Sequence, residues 1–298
     1  MLVTGGSGFI GAHVTSGLCQ AGGHVLSVDA RAPRRRPPAA CQAVQCDIRS
    51  GDLAGIVAGF APHVVVHLAA QVSVTDSIAF PGTDADVNVR GTVAVAEACA
   101  AAGAGLLVFA GSCAIYGDPA VLPVGEDHPL APVTPYGLSK ASALGYAEWF
   151  AEFRSLPVTS LILGNVYGPG QHGGVISQFL ADAAAGRPCA LHGHGHATRD
   201  FVHVSDVADA VLRACASPPA GRVNIGSGTE TSIARVHELV AAAAGHAISP
   251  VPAPARPGDI GRMSLRTSRA ARLLGWTPAT GLAAGIAALA PAGIEASA

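Results

Sequence analysis

At 298 residues, with a formal net charge of −2 and 13% charged residues, the chain has length for one large domain or two interleaved ones and lacks a broad basic surface. That argues against nucleic acid as a partner. Seven cysteines, odd in number, irregularly spaced and without a C-x-x-C pair, do not make a disulfide framework, and a reducing cytoplasm is the expected compartment.

Leu2-Val3-Thr4 is an apolar run that enters Gly5-Gly6-Ser7-Gly8-Phe9-Ile10-Gly11, and a helix is expected to leave it. Strand, glycine turn and helix together aim backbone N–H groups and a positive helix end at one spot, which suits a pyrophosphate. Gly5 permits the tight turn, Gly8 the approach of backbone to phosphate, and Gly11 the close packing of helix on strand. The spacing is G-x-x-G-x-x-G. His24–Asp29 reads as a second strand ending in an acid, at the distance a dinucleotide site requires. A carboxylate there accepts from both ribose hydroxyls and repels a 2′-phosphate, so Asp29 favours NAD over NADP. Arg31, Arg34, Arg35 and Arg36 lie where a 2′-phosphate would sit, but Asp29 opposes that role and the cluster reads as a solvated loop. Arg31 is the first positive side chain, so the start as given lacks the basic region of a secretory signal.

Residues 43–46 form a short third strand followed by Asp47, and Val64–Leu68 reads as a strand covered on both faces. An Ala/Val-rich helix is expected over about 84–101, then a strand at Leu106–Phe109. The uncharged stretch 98–117 is long enough to raise the question of a membrane span. Gly103 and Gly105 interrupt it, and a helix-to-strand transition explains it better, so no membrane partner is expected. Thr134 and Pro135 mark the N-cap and first residue of the next helix, and Val158–Leu163 is the next strand. The alternation predicts an α/β fold with a doubly wound parallel sheet. Residues 1–164 form its dinucleotide-binding domain, with a return segment near 199–215. Beyond Asn165, prolines and glycines break the pattern, and 165–298 reads mainly as a smaller, interleaved substrate domain.

Tyr136 and Lys140 stand at i and i+4 on one helix face. A free phenol is a poor base at neutral pH, but a nearby ammonium and a positive nicotinamide ring both favour the phenolate. The pair therefore suits a general base inside a dinucleotide site, with Lys140 also in reach of the nicotinamide ribose. Ser112, just past the Leu106–Phe109 strand, suits a hydroxyl that holds the reacting alcohol.

With these residues in order, the chain resembles the extended short-chain dehydrogenase/reductase family, specifically its NAD-dependent nucleotide-sugar epimerases and dehydratases. The likeness runs through Gly5–Gly11, Asp29, Asp47-Ile48, His67–Ala70, Asn88–Thr92, Ser112, Tyr136/Lys140, Asn165–Pro169, Arg199–Val207, Arg256–Asp259 and Leu274-Gly275-Trp276. The resemblance implies roles. Gly5, Gly8, Phe9, Ile10, Gly11, Asp29 and Ala110 belong to the cofactor site; Asp47 and Ile48 border the adenine; Leu68, Ala69 and Ala70 line the trough; Asn88 steadies its floor. Asn165 contacts the sugar diphosphate, Arg199 and Arg256 pair with it, Asp259 reaches the nucleotide ribose, and Leu191 and His192 hold the base. The helices at about 84–101 and 136–153 match those of a four-helix homodimer interface.

The family's 4,6-dehydratases carry Asp-Glu after the serine, whereas this chain has Cys113-Ala114. That implies a 4-epimerase using Ser112, Tyr136, Lys140 and NAD on a UDP-hexose, uronic acid or N-acetyl sugar. The alternatives are a dehydratase with Cys113 as acid, against which Cys113 reads as a packing residue, and an NAD(P)H-dependent keto-sugar reductase. Three departures bear on the sugar: Ile162-Leu163-Gly164 replaces an Arg and two aromatic residues, Met263 a Tyr, and Val72 a Lys, suggesting a differently shaped pocket. His192, His194 and His196 alternate with glycines and lack a nearby acid or cysteine, so no metal is expected. His67 reads as a core or trough residue.

Overall fold

Six strands of one sheet follow each other through the first half of the chain: Leu2–Thr4 (β1), Val25–Asp29 (β2), Cys41–Gln45 (β3), Val64–His67 (β4), Leu106–Ser112 (β5) and Val158–Leu163 (β6). The computed structural model describes residues 1–33, 37–255 and 258–290. A seventh strand, Gly221–Ile225, joins β6, and the order is Gly221–Ile225, β6, β5, β4, β1, β2, β3, parallel throughout. The order reverses between β1 and β4, so their carboxyl ends flank a crevice in which such sheets bind ligands.

Both faces of the sheet are covered, which is why β2 and β6 are apolar enough to be buried end to end. On one face, helix Phe9–Gln20 packs beside Val204–Ala216, joining Val14 and Leu18 to Val207 and Val211. On the other lie Asp52–Phe60, Gly91–Ala101 and Pro135–Phe153, with Val57, Val95 and Leu144 in a second core. The chain thus returns to the large sheet over Val204–Ile225 after it has begun a smaller lobe. That lobe has its own core of Tyr167, Phe179, Val236, Val240 and Ile286, built by helices Val175–Ala184, Ile233–Ala244 and Leu282–Ala287.

Two elements differ from the sequence expectation in ways that matter for the site. β5 runs three residues beyond Phe109, because β6 continues beside it and pairs Leu163 with Ser112. The helix expected over 84–101 is three joined segments: Pro81–Ala85, a π turn at Asp86–Arg90, and Gly91–Ala101. The π turn contains the buried Asn88, and such insertions often accompany functional sites.

Candidate active site

The crevice begins at the glycine turn. Gly5 sits at φ +71°, and a Cβ there would come within 2.6 Å of Ala69 N. A Cβ on Gly11 would lie 2.0 Å from Gly5 O, so helix Phe9–Gln20 starts pressed against the turn. Gly6, which the spacing argument passed over, is as constrained: its Cβ would meet Ser27 Oγ at 2.2 Å. Around Gly8 only Gly5 O comes near, at 3.1 Å. Gly8 is the N-cap and brings no side-chain cap, so the first-turn N–H groups, including those of Phe9 and Ile10, lack acceptors within the helix. That donor set fits a diphosphate.

Asp29, at the end of β2, accepts from Ser7 N at 3.1 Å and Arg31 N at 3.0 Å, tying the acid to the glycine turn. Arg34, Arg35 and Arg36 lie outside the described residues. The Asp47 carboxylate is taken by Arg49, whose Nη2 donates to it at 2.6 Å, while Nη1 donates to Asp86 at 2.7 Å. The Arg49 hydrogen bonds hold the Asp47 carboxyl below its usual range. Ile48 is buried, in contact range of Gly91. Leu68, Ala69 and Ala70 follow β4, half-buried, with Leu68 N donating to Thr4 O. These groups, an acid and uncapped N–H donors around a glycine cradle, fit an adenine dinucleotide.

The chemical centre lies at the ends of β4 and β5. Thr134 caps helix Pro135–Phe153 through a 3.1 Å bond from Gly137 N, which sets the register of Tyr136 and Lys140. Lys140 is 6% exposed; its Nζ donates to Ala110 O at 2.7 Å and lies 4.6 Å from the Phe109 ring centroid. Burial pushes its ammonium down to about 8, with Asp84 opposing. Burial pushes the Tyr136 phenol up to about 12, against the pull of a hydrogen bond with Ser112. Ser112, Tyr136, Lys140 and Ala110 are therefore brought together. The chain's own groups leave Tyr136 neutral, and one proton of the Lys140 ammonium is donated to Ala110 O.

Beneath this centre the π turn supplies a polar floor. Asn88 Oδ1 accepts from Gln71 N at 2.9 Å, and Nδ2 donates to Gln71 O, Asp84 Oδ1 and Ser139 Oγ at 3.0, 3.2 and 3.0 Å. Ser139 Oγ in turn donates to Tyr136 O at 3.0 Å. His67 is a buried strut: Thr4 Oγ1 lies 2.7 Å from Nδ1 and Thr92 Oγ1 3.0 Å from Nε2. Thr92 donates its own proton to Asn88 O at 2.6 Å, so it accepts from Nε2–H, leaving Nδ1 to accept from Thr4. Burial drives His67 down to about 3, with the Lys140 charge adding. Asp84, Gln71, Ser139 and Thr92 were not singled out from sequence; the i,i+4 spacing of Asp84 and Asn88 was the available signal.

A second group lies in the smaller lobe. Arg199 Nη1 donates to Thr198 O and Ile260 O at 2.7 and 2.6 Å, and Nη2 pairs with Asp259. Asn165 is exposed, its N donating to Asp200 O. Leu191 and His192 lie on a strand paired with Pro250–Ala253, and His192 Nδ1 donates to Pro254 O at 2.8 Å. Arg256 lies outside the described residues. Asp200, next to Arg199, is fully buried and accepts from Ser227 N, Gly228 N and Leu265 N at 2.6–3.0 Å, which joins the two lobes.

One pocket expectation changes. Met263, Ile162 and Leu163 are buried in the core beside the sheet and do not form an open pocket wall. Cys113 is 7% exposed, and burial pushes its thiol up to about 12, so it is a packing residue with no acidity to offer at neutral pH. No cluster of three metal-ligating side chains occurs among the described residues.

A doubly wound sheet with a glycine cradle at its switch point and a serine, a tyrosine and a lysine beside it defines a dinucleotide-dependent enzyme of the short-chain dehydrogenase/reductase type. The model of the NAD-dependent epimerase/dehydratase family matches residues 1–226, and the chain belongs to that family. A UDP-glucose 4-epimerase of Mycolicibacterium smegmatis is 40% identical, with 96% of each chain covered. The UDP-glucose 4-epimerase of Thermotoga maritima, solved with UDP-glucose, superposes with a TM-score of 0.92 at 33% identity. That of Thermus thermophilus, solved with NAD, gives 0.91 at 37%. Each structural match covers 96% of both chains.

Proposed function

We propose that the protein is an NAD-dependent UDP-sugar 4-epimerase. The observation that carries this reading is the Ser112–Tyr136–Lys140 centre beside a glycine cradle, with only Cys113 and Ala114 where a dehydratase needs an acid and a base. NAD, when bound, supplies the hydride acceptor and donor and places a positive ring near the phenol. Tyr136 takes the proton of the C4 hydroxyl as C4 is oxidised, and returns a proton when the 4-keto sugar is reduced on its other face. Ser112 holds the C4 oxygen against Tyr136. Lys140, anchored to Ala110, presents its ammonium to the nicotinamide ribose and stabilises the phenolate once the ring's charge is in place.

In this reading the site residues are those named above. Gly5, Gly8, Phe9, Ile10, Gly11, Asp29, Asp47, Ile48, Leu68, Ala69, Ala70, Asn88 and Ala110 serve the cofactor. Asn165, Leu191, His192, Arg199, Arg256 and Asp259 serve the nucleotide diphosphate. Residues 1–164 with the return segment hold NAD, and 165–298 mainly hold the sugar nucleotide. The sugar is a hexose, with the N-acetyl and uronic forms as the next substrates to offer. Incubation with UDP-glucose and UDP-galactose tests the reading: interconversion without net NADH production supports it. A 4-keto-6-deoxy product would reassign the enzyme to elimination, and stoichiometric nicotinamide consumption to reduction.

The protein acts as a homodimer in the cytoplasm in this reading. Leu138, Tyr146, Trp149 and Phe153 form an exposed apolar stripe on helix Pro135–Phe153, which supports pairing of that helix with its copy. Gly91–Ala101 contributes less, since only Glu97 and the terminal Ala101 are exposed along it. A Trp149→Glu change should yield monomers by sedimentation. All seven cysteines are free, which suits a reducing compartment, and no helix among the described residues is long and apolar enough to cross a membrane.

A further inference from the structure

Asp84 is a buried acid that the proposed mechanism leaves without a task. It is 1% exposed, on the short helix Pro81–Ala85 packed against helix Pro135–Phe153. Its Oδ1 accepts from Gln71 Nε2 at 3.0 Å and from Asn88 Nδ2 at 3.2 Å, while Oδ2 is buried without a hydrogen-bond partner among the described residues. Carboxylates are seldom buried unless a cation answers them. No arginine donates to Asp84 among the described hydrogen bonds, and the cation whose charge it feels is Lys140.

We propose that Asp84 is a positioning residue for the catalytic pair: it orders Gln71 and Asn88 beneath Tyr136, and its carboxylate bears on the Lys140 ammonium. The proposal rests on the epimerase reading above. Asn88 passes the order onward, since its Nδ2 also holds Ser139 Oγ, which is bonded to Tyr136 O. The charge works on both members of the pair. It raises the proton affinity of Lys140 against the larger effect of burial, and it adds to the burial that raises Tyr136. The other groups facing the pair are His67 from β4, Ala110 O and Ser112 from β5, and Cys113 beyond it. His67 and Cys113 are kept neutral by burial at working pH. Asp84 is therefore the one carboxyl group among them.

The test is the pH profile of kcat for the wild type, Asp84→Asn and Asp84→Glu on UDP-glucose, with NAD content and thermal unfolding measured on each. Removing the charge should move the basic limb, where Lys140 loses its proton, about one pH unit lower, with about a tenfold loss of kcat above that limb. Asp84→Glu should keep the limb near the wild-type position. Ultraviolet titration of tyrosinate, differenced against the matching Tyr136→Phe proteins, should show Tyr136 ionising at lower pH in Asp84→Asn than in the wild type. Profiles of unchanged shape, whether or not activity falls uniformly, overturn the proposal, as does an unchanged tyrosinate difference. Asp84→Ser, which leaves room for water, replaces Asp84→Asn if the latter does not fold. Failure of both to fold assigns Asp84 to the fold alone and overturns the proposal. A wild type that neither retains NAD nor converts UDP-glucose sinks the epimerase reading instead, so the two failures are distinguishable.

Discussion

The catalytic pair and the Arg199 cluster handle charge in opposite ways. Around Tyr136 and Lys140 the polar groups are buried or half-buried, and most are held by the chain's own atoms: Lys140 by Ala110 O, Ser139 by Asn88, Asn88 by Gln71. Around Arg199 the cation meets Asp259, which is exposed on a loop and has no other hydrogen-bond partner among the described residues. The first site is organised before any ligand arrives, so that reorganisation at the moment of reaction is small. The second holds its cation in an internal ion pair that, in the proposed function, a diphosphate has to displace. Chemistry is built into the rigid half, and recognition into contacts that exchange.

The comparison breaks most sharply at Tyr136. Under the proposed mechanism Tyr136→Phe removes the group that moves the C4 proton and should lower kcat by roughly a thousandfold. NAD content and thermal stability should stay near wild type, because Ser139 bonds to the Tyr136 backbone rather than its ring. Retention of more than a tenth of wild-type activity would contradict a preorganised proton site. Arg199→Ala should act differently. If Arg199 binds the diphosphate as proposed, its charge-assisted bonds to the substrate are lost, so KM should rise on the order of 10- to 100-fold while kcat changes little. If kcat falls as steeply as kcat/KM, Arg199 belongs with the chemistry and the division between the two regions fails.

Legibility from sequence follows the same division. The sheet was readable because parallel strands buried on both faces leave apolar runs, as at Val64–Val66 in β4 and Leu106–Phe109 in β5. The glycine turn was readable because Gly5 at φ +71° and the Gly5–Gly11 contact leave no room for another residue. Tyr136 and Lys140 share a helix, so their spacing alone put them together. The polar floor was not legible in that way. Gln71, Asp84, Asn88 and Ser139 come from three separate segments, and only the π turn and the docking of helix Pro135–Phe153 bring them into contact. Pocket residues were misjudged for a related reason. A substitution such as Met263 for a tyrosine marks a position, but whether that position faces a cavity or the core depends on packing against a distant segment, the one that carries Val124 beside Leu265.

The rigid half also carries a pH signature that the exposed cluster lacks. His67 is neutral between Thr4 and Thr92, with its proton affinity driven down by burial to about 3. An unfolded histidine titrates near 6.5, so between those values the unfolded chain binds the extra proton. Stability from this group is complete above about pH 6.5 and is lost as pH falls toward 3. At pH 5 the loss is about 2 kcal/mol. Thermal unfolding of the wild type should therefore fall more between pH 7 and pH 5 than that of His67→Gln. Equal slopes would mean that the imidazole is not the buried neutral strut described.

The smallest effect is expected where a mechanistic role was weighed and the structure gives packing. Cys113 follows Ser112 directly, so a thiol acting as an acid would make its removal as costly as losing a member of the catalytic centre. Burial raises the thiol to about 12, and at neutral pH it has no tendency to release a proton. Cys113→Ala deletes one sulfur from a core that holds Ile115 and Phe109. It should lower Tm by a few degrees. Measured on UDP-glucose, kcat should stay within about threefold of wild type, since no transition-state contact is removed. A hundredfold loss, with the fold and NAD content intact, would place the thiol in the chemistry and reopen elimination at C6. A stability cost without a rate cost would leave Ser112, Tyr136 and Lys140 as the reacting set and Cys113 as the wall behind them.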